Sequence, residues 1–179
     1  MARAYLSLGS NVERERYIRS CLDVLAATYA PLCISSMYES EAVGFAGDLF
    51  YNLVVGIDTE QSLPQLFAAL RRIEHDHQRC LNALKFSART LDIDILSYDD
   101  YVGEYRLDDG SGGSLPRDEI TKNAFVLQPL AEIAPEVTHP RLNITYRQLW
   151  QQFDHPEQRL WPVSFVWCHQ QLSRALSES

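Results

Sequence analysis

Hydrophobic and polar residues alternate strictly along residues 91 to 95, where leucine and isoleucine residues enclose two aspartates. Alternation of this kind is typical of a β-strand with one buried face. Because successive strand side chains point to opposite faces, Asp92 and Asp94 are expected side by side on the polar face. The pattern therefore predicts a strand that carries two neighbouring carboxylates.

The periodicity of the remaining sequence predicts the other elements. Strands are predicted at residues 4 to 8, 32 to 38 and 49 to 57, and helices at residues 12 to 29, 59 to 79, 118 to 130 and 145 to 153. Residues 39 to 48 have no clear period and are predicted to form a long loop. Residues 98 to 114 include several glycines and serines and are predicted to be flexible.

The predicted order of elements up to the aspartate strand is β-α-β-β-α-β, which is the order of a ferredoxin-like unit. In such a unit two helices pack on one face of an antiparallel sheet, and the later helices of this chain could cover the other face. We therefore expect an α/β (α+β) fold in which a ferredoxin-like βαββαβ core is extended to a three-layer αβα domain.

Two neighbouring carboxylates repel each other, and they are costly when partly buried unless they are paired or hold a metal. Mg2+ would relieve this repulsion, because it takes oxygen ligands and is usually held by one or two carboxylates together with substrate phosphates. Arg89, a permanent cation close to both acids, is suited to phosphate oxygens. The alternative is an edge strand whose solvent face carries two acids.

Composition limits the classes of function. The chain has 179 residues, of which 46% are hydrophobic and 22% charged, so we expect one globular domain over residues 1 to 179. A formal net charge of -8 disfavours general nucleic-acid binding. The four cysteines lack the spacing of a zinc site. We find no secretory signal and no apolar stretch of membrane-spanning length, so we expect a cytoplasmic protein that binds no membrane.

Five short blocks of the sequence resemble one enzyme family, 6-hydroxymethyl-7,8-dihydropterin pyrophosphokinase. They occur in the family's order, which makes the resemblance much more specific than one block alone. The blocks are Leu6-Ser7-Leu8-Gly9-Ser10-Asn11, Ser35-Ser36-Met37-Tyr38-Glu39-Ser40, Phe50-Tyr51-Asn52, Arg89-Thr90-Leu91-Asp92-Ile93-Asp94-Ile95-Leu96 and Phe125-Val126-Leu127-Gln128-Pro129-Leu130. The resemblance covers about residues 4 to 150 and leaves residues 151 to 179 as a C-terminal extension.

The resemblance implies transfer of diphosphate from ATP to the hydroxymethyl group of 6-hydroxymethyl-7,8-dihydropterin, with release of AMP, in tetrahydrofolate biosynthesis. It implies that Asp92 and Asp94 hold two Mg2+ ions that bridge the ATP phosphates. It also implies that Arg79 and Arg89 clamp phosphate oxygens, so these four residues are the expected catalytic set. We expect a monomer that binds small-molecule substrates.

The resemblance also implies where the pterin and the nucleotide bind. The pterin ring would lie between Phe50 and Phe125, with Asn52 at its polar edge. Ser40 and Val43 match loop positions whose backbone meets the pterin. Judged from the residues alone, however, core packing is the favoured explanation for the two phenylalanines. Glu74 matches an acid on the nucleotide side, and Arg117 is expected to bind ATP phosphates.

The sequence departs from the family pattern at several positions. Arg117 stands where the family has histidine, Asn123 and Leu81 stand where it has arginines, and Glu41 and Ala88 stand where it has prolines. Each lost arginine could remove a charge-assisted hydrogen bond worth roughly 1.5–3 kcal/mol. Two alternatives therefore stay open: a divergent paralogue acting on another pterin or alcohol, and a non-catalytic regulator that binds nucleotide or pterin. A ferredoxin-like nucleic-acid binder is disfavoured by the net charge.

Overall fold

A central antiparallel sheet organises the chain. The structure is a computed structural model that describes residues 1–41, 49–78 and 91–175. The strands of this sheet are β1 (Ala2–Ser10), β2 (Cys33–Ile34), β3 (Met37–Ser40), β4 (Phe50–Thr59), β5 (Asp92–Tyr98) and β8 (Leu160–Val163). They are ordered β5-β1-β4-β3-β8, and β2 also pairs with β4. The single strand predicted at residues 32 to 38 is divided into β2 and β3. Apart from this division, the order of elements up to β5 is the expected ferredoxin-like order.

Two long helices cover one face of the sheet. These are α1 (Arg14–Tyr29) and α2 (Leu63–Gln78). Their apolar residues recur every three to four positions, which gives each helix one buried side. The core between helices and sheet includes Ile18, Leu22, Leu66 and Leu70, with Leu6, Leu8, Leu53 and Val55 from the strands. The strand residues that alternate with these core residues therefore point to the opposite face of the sheet.

The opposite face is covered by α4 (Ala124–Ile133) and α5 (Tyr146–Gln152). Tyr5, Val54 and Leu96 of the sheet pack against these helices. The single helix predicted at residues 118 to 130 is wrong, because α3 (Glu119–Lys122) ends before Asn123, whose backbone is extended. The two helix-covered faces confirm the expected three-layer architecture. No helix in the described ranges is long and apolar enough to cross a membrane.

Residues 98 to 114 are more regular than predicted. They form all but the last residue of an antiparallel hairpin, which consists of β6 (Gly103–Arg106) and β7 (Gly112–Leu115). Its turn is closed by a hydrogen bond of 2.7 Å from Leu107 N to Ser111 O. A Cβ at Gly112 would lie 1.9 Å from Tyr105 O, so only glycine permits this approach of the two strands. The glycines that suggested flexibility are thus part of an ordered turn and strand.

The C-terminal extension also contributes strands. β8 pairs with β3, and β9 (Phe165–Trp167) pairs with β10 (Gln170–Ser173) in a separate hairpin. Trp167 Nε1 donates to Asp23 Oδ1 of α1 at 2.9 Å, which ties the hairpin to the helix layer. The interpretation of residues 1 to 179 as one domain stays a prediction.

Candidate active site

The two aspartates of β5 lie on one face of the sheet, as the alternating pattern predicted. Ile93 and Ile95 are 5% and 3% exposed and belong to the core beneath α1 and α2. Asp92 and Asp94 alternate with them and are half-buried, so their side chains lie on the α4 side of the sheet. β5 stands at one end of the strand order, which leaves this pair beside solvent.

A row of paired residues leads from this acidic strand across the sheet. Asp92 pairs with Gly9 of β1, Gly9 pairs with Asn52 of β4, and Asn52 pairs with Tyr38 of β3. Residues directly opposite in adjacent strands share a face, so Asp92 and Asn52 lie on the same side with glycine between them. Because Gly9 has no side chain, the Asn52 carboxamide can approach the sheet closely at this point.

Asn52 is held in a defined orientation. Its Nδ2 donates to Ser40 Oγ at 2.8 Å, and the side chain is buried. A Cβ at Gly9 would lie 3.1 Å from Asn52 Oδ1, which places the carboxamide oxygen over the glycine. Asn52 is thus positioned by one hydrogen bond and one close approach, both from residues of the sheet.

The predicted aromatic residues lie on this side as well. Phe50 precedes Asn52 by two positions in β4 and is paired with Ser40 across the ladder. Phe125 lies in the first turn of α4, packed against the core beneath that helix, and is half-buried. The structure therefore places Ser40, Phe50, Asn52 and the helix that carries Phe125 on one face of the sheet.

Arg117 lies against the acidic strand. Its Nη2 is 3.4 Å from Asp94 Oδ1 and 3.3 Å from Glu119 Oε1. Its backbone N donates to Leu96 O at 2.9 Å, which fixes the residue beside β5. Burial lowers the pKa of the guanidinium, but Asp94 and Glu119 outweigh burial and raise it. Arg117 is therefore a permanent cation at the edge of the acidic pair.

Glu74 approaches the same strand from α2. It is 6% exposed, and its Oε2 accepts a hydrogen bond of 3.3 Å from Ile93 N. Arg71 Nη1 lies 3.5 Å from the other carboxylate oxygen. Burial, together with repulsion from Asp92 and Asp94, raises the pKa of Glu74 to about 7. Glu74 is thus a third carboxyl group beside the pair, and it is only partly ionised near neutral pH.

The donor set fits Mg2+. In the described ranges no three His, Cys, Asp or Glu side chains form a group that could hold a metal. Asp92 and Asp94 instead offer two carboxylates beside solvent, which suits an ion that keeps waters and takes phosphate oxygens. His77, near the end of α2, is directed elsewhere: Nδ1 lies 2.7 Å from Ile73 O and Nε2 lies 2.9 Å from Ser20 Oγ.

Three predicted site residues, Val43, Arg79 and Arg89, lie outside the described residues. One feature of the site was not predicted from the sequence. Gly9 was noted only as part of a block of residues that resembles the family, whereas the register places it between Asp92 and Asn52. Only the strand pairing reveals this role, because glycine carries no side-chain chemistry to suggest it.

Comparison with known proteins defines the class of protein. Residues 5–135 match the family described as 7,8-dihydro-6-hydroxymethylpterin-pyrophosphokinase (HPPK). The 2-amino-4-hydroxy-6-hydroxymethyldihydropteridine pyrophosphokinase of Aquifex aeolicus is 35% identical over 168 residues, covering 93% of this chain and 98% of the relative. The enzyme of the same name from Haemophilus influenzae is 32% identical, covering 90% of this chain and 100% of the relative. The protein is thus an ATP-dependent pyrophosphokinase.

The chain belongs to the 6-hydroxymethyl-7,8-dihydropterin pyrophosphokinase (HPPK) family. Its fold is also that of solved structures. Wild-type HPPK-DHPS of Plasmodium falciparum superposes with a TM-score of 0.73 at 15% sequence identity over 99% of this chain. The chain spans about half the length of that protein, 50%. This similarity supports the α/β fold, and the family assignment rests on the sequence relatives.

Proposed function

We propose that this chain transfers diphosphate from ATP to the hydroxymethyl group of 6-hydroxymethyl-7,8-dihydropterin, releasing AMP, in tetrahydrofolate biosynthesis. The relatives that carry this name match nearly their full length. The observation that carries the proposal is the row from Asp92 through Gly9 to Asn52, which joins an acidic edge to a buried amide on one face. An acidic edge suits the Mg2+ that would accompany the negatively charged co-substrate. A buried amide beside aromatic residues suits a flat heterocycle.

The reaction requires an attacking oxygen and a leaving group in line on one phosphorus atom. The pterin hydroxyl oxygen bonds to the β-phosphorus of ATP and loses its proton. The bond from that phosphorus to the oxygen bridging the α- and β-phosphates breaks, and AMP leaves with the electron pair. Little covalent chemistry falls to the protein, so positioning and charge stabilisation account for most of its contribution.

Asp92 and Asp94 are the residues that would hold Mg2+, and we propose two ions as in the resemblance. Bound Mg2+ would neutralise charge on the phosphate oxygens and help to orient the phosphates. The two carboxylates lie on one face of an edge strand, with Asp94 26% exposed, so phosphate oxygens and water can complete the coordination. Glu74 accepts a hydrogen bond from Ile93 N, the backbone group between the two aspartates, and so helps to hold this part of β5 in place.

Arg117 is proposed to contact ATP phosphates. Its Nη2 faces two carboxylates, and 34% of its side chain is exposed to solvent. A guanidinium can therefore keep contact with Asp94 while it donates to a phosphate oxygen. In this way Arg117 supplies a positive charge at the position where the family has histidine.

The pterin is proposed to bind over Gly9, on the face that Asn52 and Ser40 share. The Asn52 carboxamide offers donor and acceptor groups to the polar edge of the ring. Phe50 and Phe125 supply aromatic surface, which gives a large contact area at a modest cost in conformational entropy. We propose Val43, Arg79 and Arg89 as further substrate contacts on the basis of the sequence resemblance.

The test is AMP release from ATP and Mg2+ with and without 6-hydroxymethyl-7,8-dihydropterin. We expect pterin-dependent AMP from the wild type and none from Asp94→Ala. Isothermal titration of the same proteins with a non-hydrolysable ATP analogue separates loss of binding from loss of turnover. Nucleotide or pterin binding without AMP would instead support a regulator, and AMP with a different alcohol would support a divergent paralogue. We also propose that the protein is a monomer, which light scattering tests, and that it is located in the cytoplasm, which cell fractionation tests.

A further inference from the structure

The N-terminus of α4 depends on a residue far along the chain. The residue before the helix, Asn123, makes no side-chain capping hydrogen bond, although the first N–H groups of a helix have no partner within it. Val126 N and Leu127 N donate to Asn123 O, at 3.1 and 3.0 Å. The N–H of Ala124 is therefore left to be satisfied by another part of the molecule.

Gln158 satisfies it. Its Oε1 accepts a hydrogen bond of 2.8 Å from Ala124 N. Its Nε2 donates to Lys122 O, also at 2.8 Å. One side-chain amide thus joins the last residue of α3 to the first residue of α4, across Asn123. Both functions of a carboxamide are used, since one atom accepts and the other donates.

This contact lies next to the aromatic residue proposed to stack on the pterin. Phe125 directly follows Ala124, and its side chain is only half-buried, so core packing fixes it incompletely. The other end of α4 is held separately: Glu132 accepts hydrogen bonds from Ser36 N at 2.7 Å and from Tyr38 Oη at 2.5 Å. Gln158 is the corresponding attachment at the end that carries Phe125.

The same segment also reaches the other side of the proposed pterin site. Gln158 N donates to His155 O at 3.0 Å in a turn, and β8 begins two residues later. Its first residue, Leu160, pairs with Ser40, the partner of the Asn52 side chain. Residues 158 to 160 therefore connect the helix that carries Phe125 to the strand that orients Asn52.

We propose that Gln158 is a positioning residue for pterin binding, which sets the distance of Phe125 from the Asn52 side of the site through the N-terminus of α4. This inference rests on the proposed function, because it assumes that Phe125 contacts the pterin. Gln158 lies beyond residues 5–135, the part of the chain that matches the family pattern. Loss of this contact should weaken pterin binding and should not change ATP binding, which is proposed to occur near Asp92 and Asp94.

The test compares Gln158→Met with wild type. Methionine has a similar length but neither accepts nor donates a comparable hydrogen bond, so both contacts are lost. We expect KM for the dihydropterin to rise roughly three- to tenfold, from the loss of two hydrogen bonds of modest net worth, while kcat and KM for ATP stay within about twofold. Phe125→Ala should raise the same KM at least as much, and the double variant should add little, because both changes act on one contact.

Gln148→Met is the matched control. Gln148 completes the capping box of α5 with Thr145, so its loss also removes helix-capping amide bonds but at a distance from the proposed site. We expect this variant to lower the melting temperature without changing KM for the pterin. Gln158→Glu provides a second comparison, because it retains the acceptor for Ala124 N and loses the donor to Lys122 O. The KM of Gln158→Glu for the dihydropterin should lie between those of Gln158→Met and the wild type.

Amide hydrogen exchange gives a readout that needs no substrate. In Gln158→Met, exchange at residues 124 to 127 should accelerate while exchange in β1 and β4 does not. An active wild type whose KM for the pterin is unchanged in Gln158→Met would overturn the positioning role alone. A wild type that neither binds nor converts the pterin would overturn the proposed function and, with it, this inference.

Discussion

Nη2 of Arg117 lies 3.4 Å from Oδ1 of Asp94, so a permanent cation is already in contact with one of the two proposed metal ligands. The contact is partly exposed, with 34% of the arginine side chain and 26% of the aspartate side chain accessible. An ion pair of this kind contributes modestly to stability. Its importance is that a metal ion bound at the proposed site would share this carboxylate with the guanidinium, so each would change the electrostatic field in which the other binds.

Replacing Arg117 should therefore have opposite effects on the two ligands. In Arg117→Gln we expect Mg2+ or Mn2+ to bind the nucleotide-free protein about two- to fivefold more tightly, because a competing positive charge is gone. ATP should bind roughly tenfold or more weakly, because a charge-assisted phosphate contact is lost. Calorimetric titration measures both affinities. Arg147→Gln is the control, since Arg147 pairs with Glu136 on an exposed surface. An equal decrease in the affinities for the metal ion and for ATP would contradict this account.

Removing either strand carboxylate should abolish turnover. We expect Asp92→Ala and Asp94→Ala to lose at least about a hundredfold in kcat, because charge stabilisation at the phosphates is a dominant contribution in this chemistry. The fold should survive, since neither side chain belongs to the apolar core. AMP release measures the rate, and circular dichroism checks the fold. The exposed Asp76 of α2 provides the control Asp76→Ala, which should keep the wild-type rate. Normal rates in both strand variants would show that the metal assignment is wrong.

Gly9→Ala tests the space between the acids and Asn52. The added Cβ would lie 3.1 Å from Asn52 Oδ1, which is close enough to displace the carboxamide by a few tenths of an ångström. Because that side chain is also bonded to Ser40, we expect a pterin KM raised roughly three- to tenfold with little change in KM for ATP. Steady-state kinetics with each substrate varied in turn measures the two constants. A variant with unchanged pterin KM would place the ring away from Gly9.

His139 should make stability depend on pH. The ring is buried, and Nδ1 accepts from Arg141 N and Leu142 N, both at 3.2 Å, so the neutral form is required. Burial, with help from Arg141, lowers the pKa of His139 below its ordinary value of 6.5. The unfolded chain therefore takes up this proton more readily than the native protein. Its stabilising contribution is complete above pH 6.5 and is lost as pH falls through the lowered pKa.

His139→Asn should reduce this dependence, because a carboxamide oxygen can accept the same two hydrogen bonds without being protonated. Denaturant unfolding at pH 7.5 and at pH 5.5 gives the free energies of unfolding. The decrease between the two pH values should be smaller in His139→Asn than in wild type. The exposed His155 gives the control variant His155→Asn, which should keep the wild-type decrease. An identical decrease in all three proteins would exclude His139 as the source.

The elements that the sequence predicted well are those with a strong period. The alternation around Asp92 and Asp94 specifies which side chains face the core, because a shift of one residue would bury both acids. The apolar stripes of α1 and α2 were equally clear. The site residues on these regular elements, such as Asn52, could therefore be placed on the sheet by pattern and resemblance together.

Other features depend on contacts that no local pattern encodes. The break between α3 and α4 at Asn123 is stabilised by Gln158, which lies 35 positions further along the chain. From composition alone, glycines such as Gly112 indicated a flexible segment. In the structure, the close approach of β6 requires a residue without a side chain at position 112. Strand β8 was missed because its four residues, Leu160–Val163, include a proline and have no alternating pattern.

The position of β8 has a consequence for synthesis of the protein in the cell. Strand β3 is bordered by β4 on one side and by β8 on the other. Ribosomes make β3 more than a hundred residues before β8, as their positions at Met37–Ser40 and Leu160–Val163 require. During that interval one row of backbone N–H and C=O groups on β3 lacks its final partner, and unpaired strand edges promote association between chains. Until β8 has been made and has paired with β3, this edge is therefore the part of the sheet most open to association with other chains.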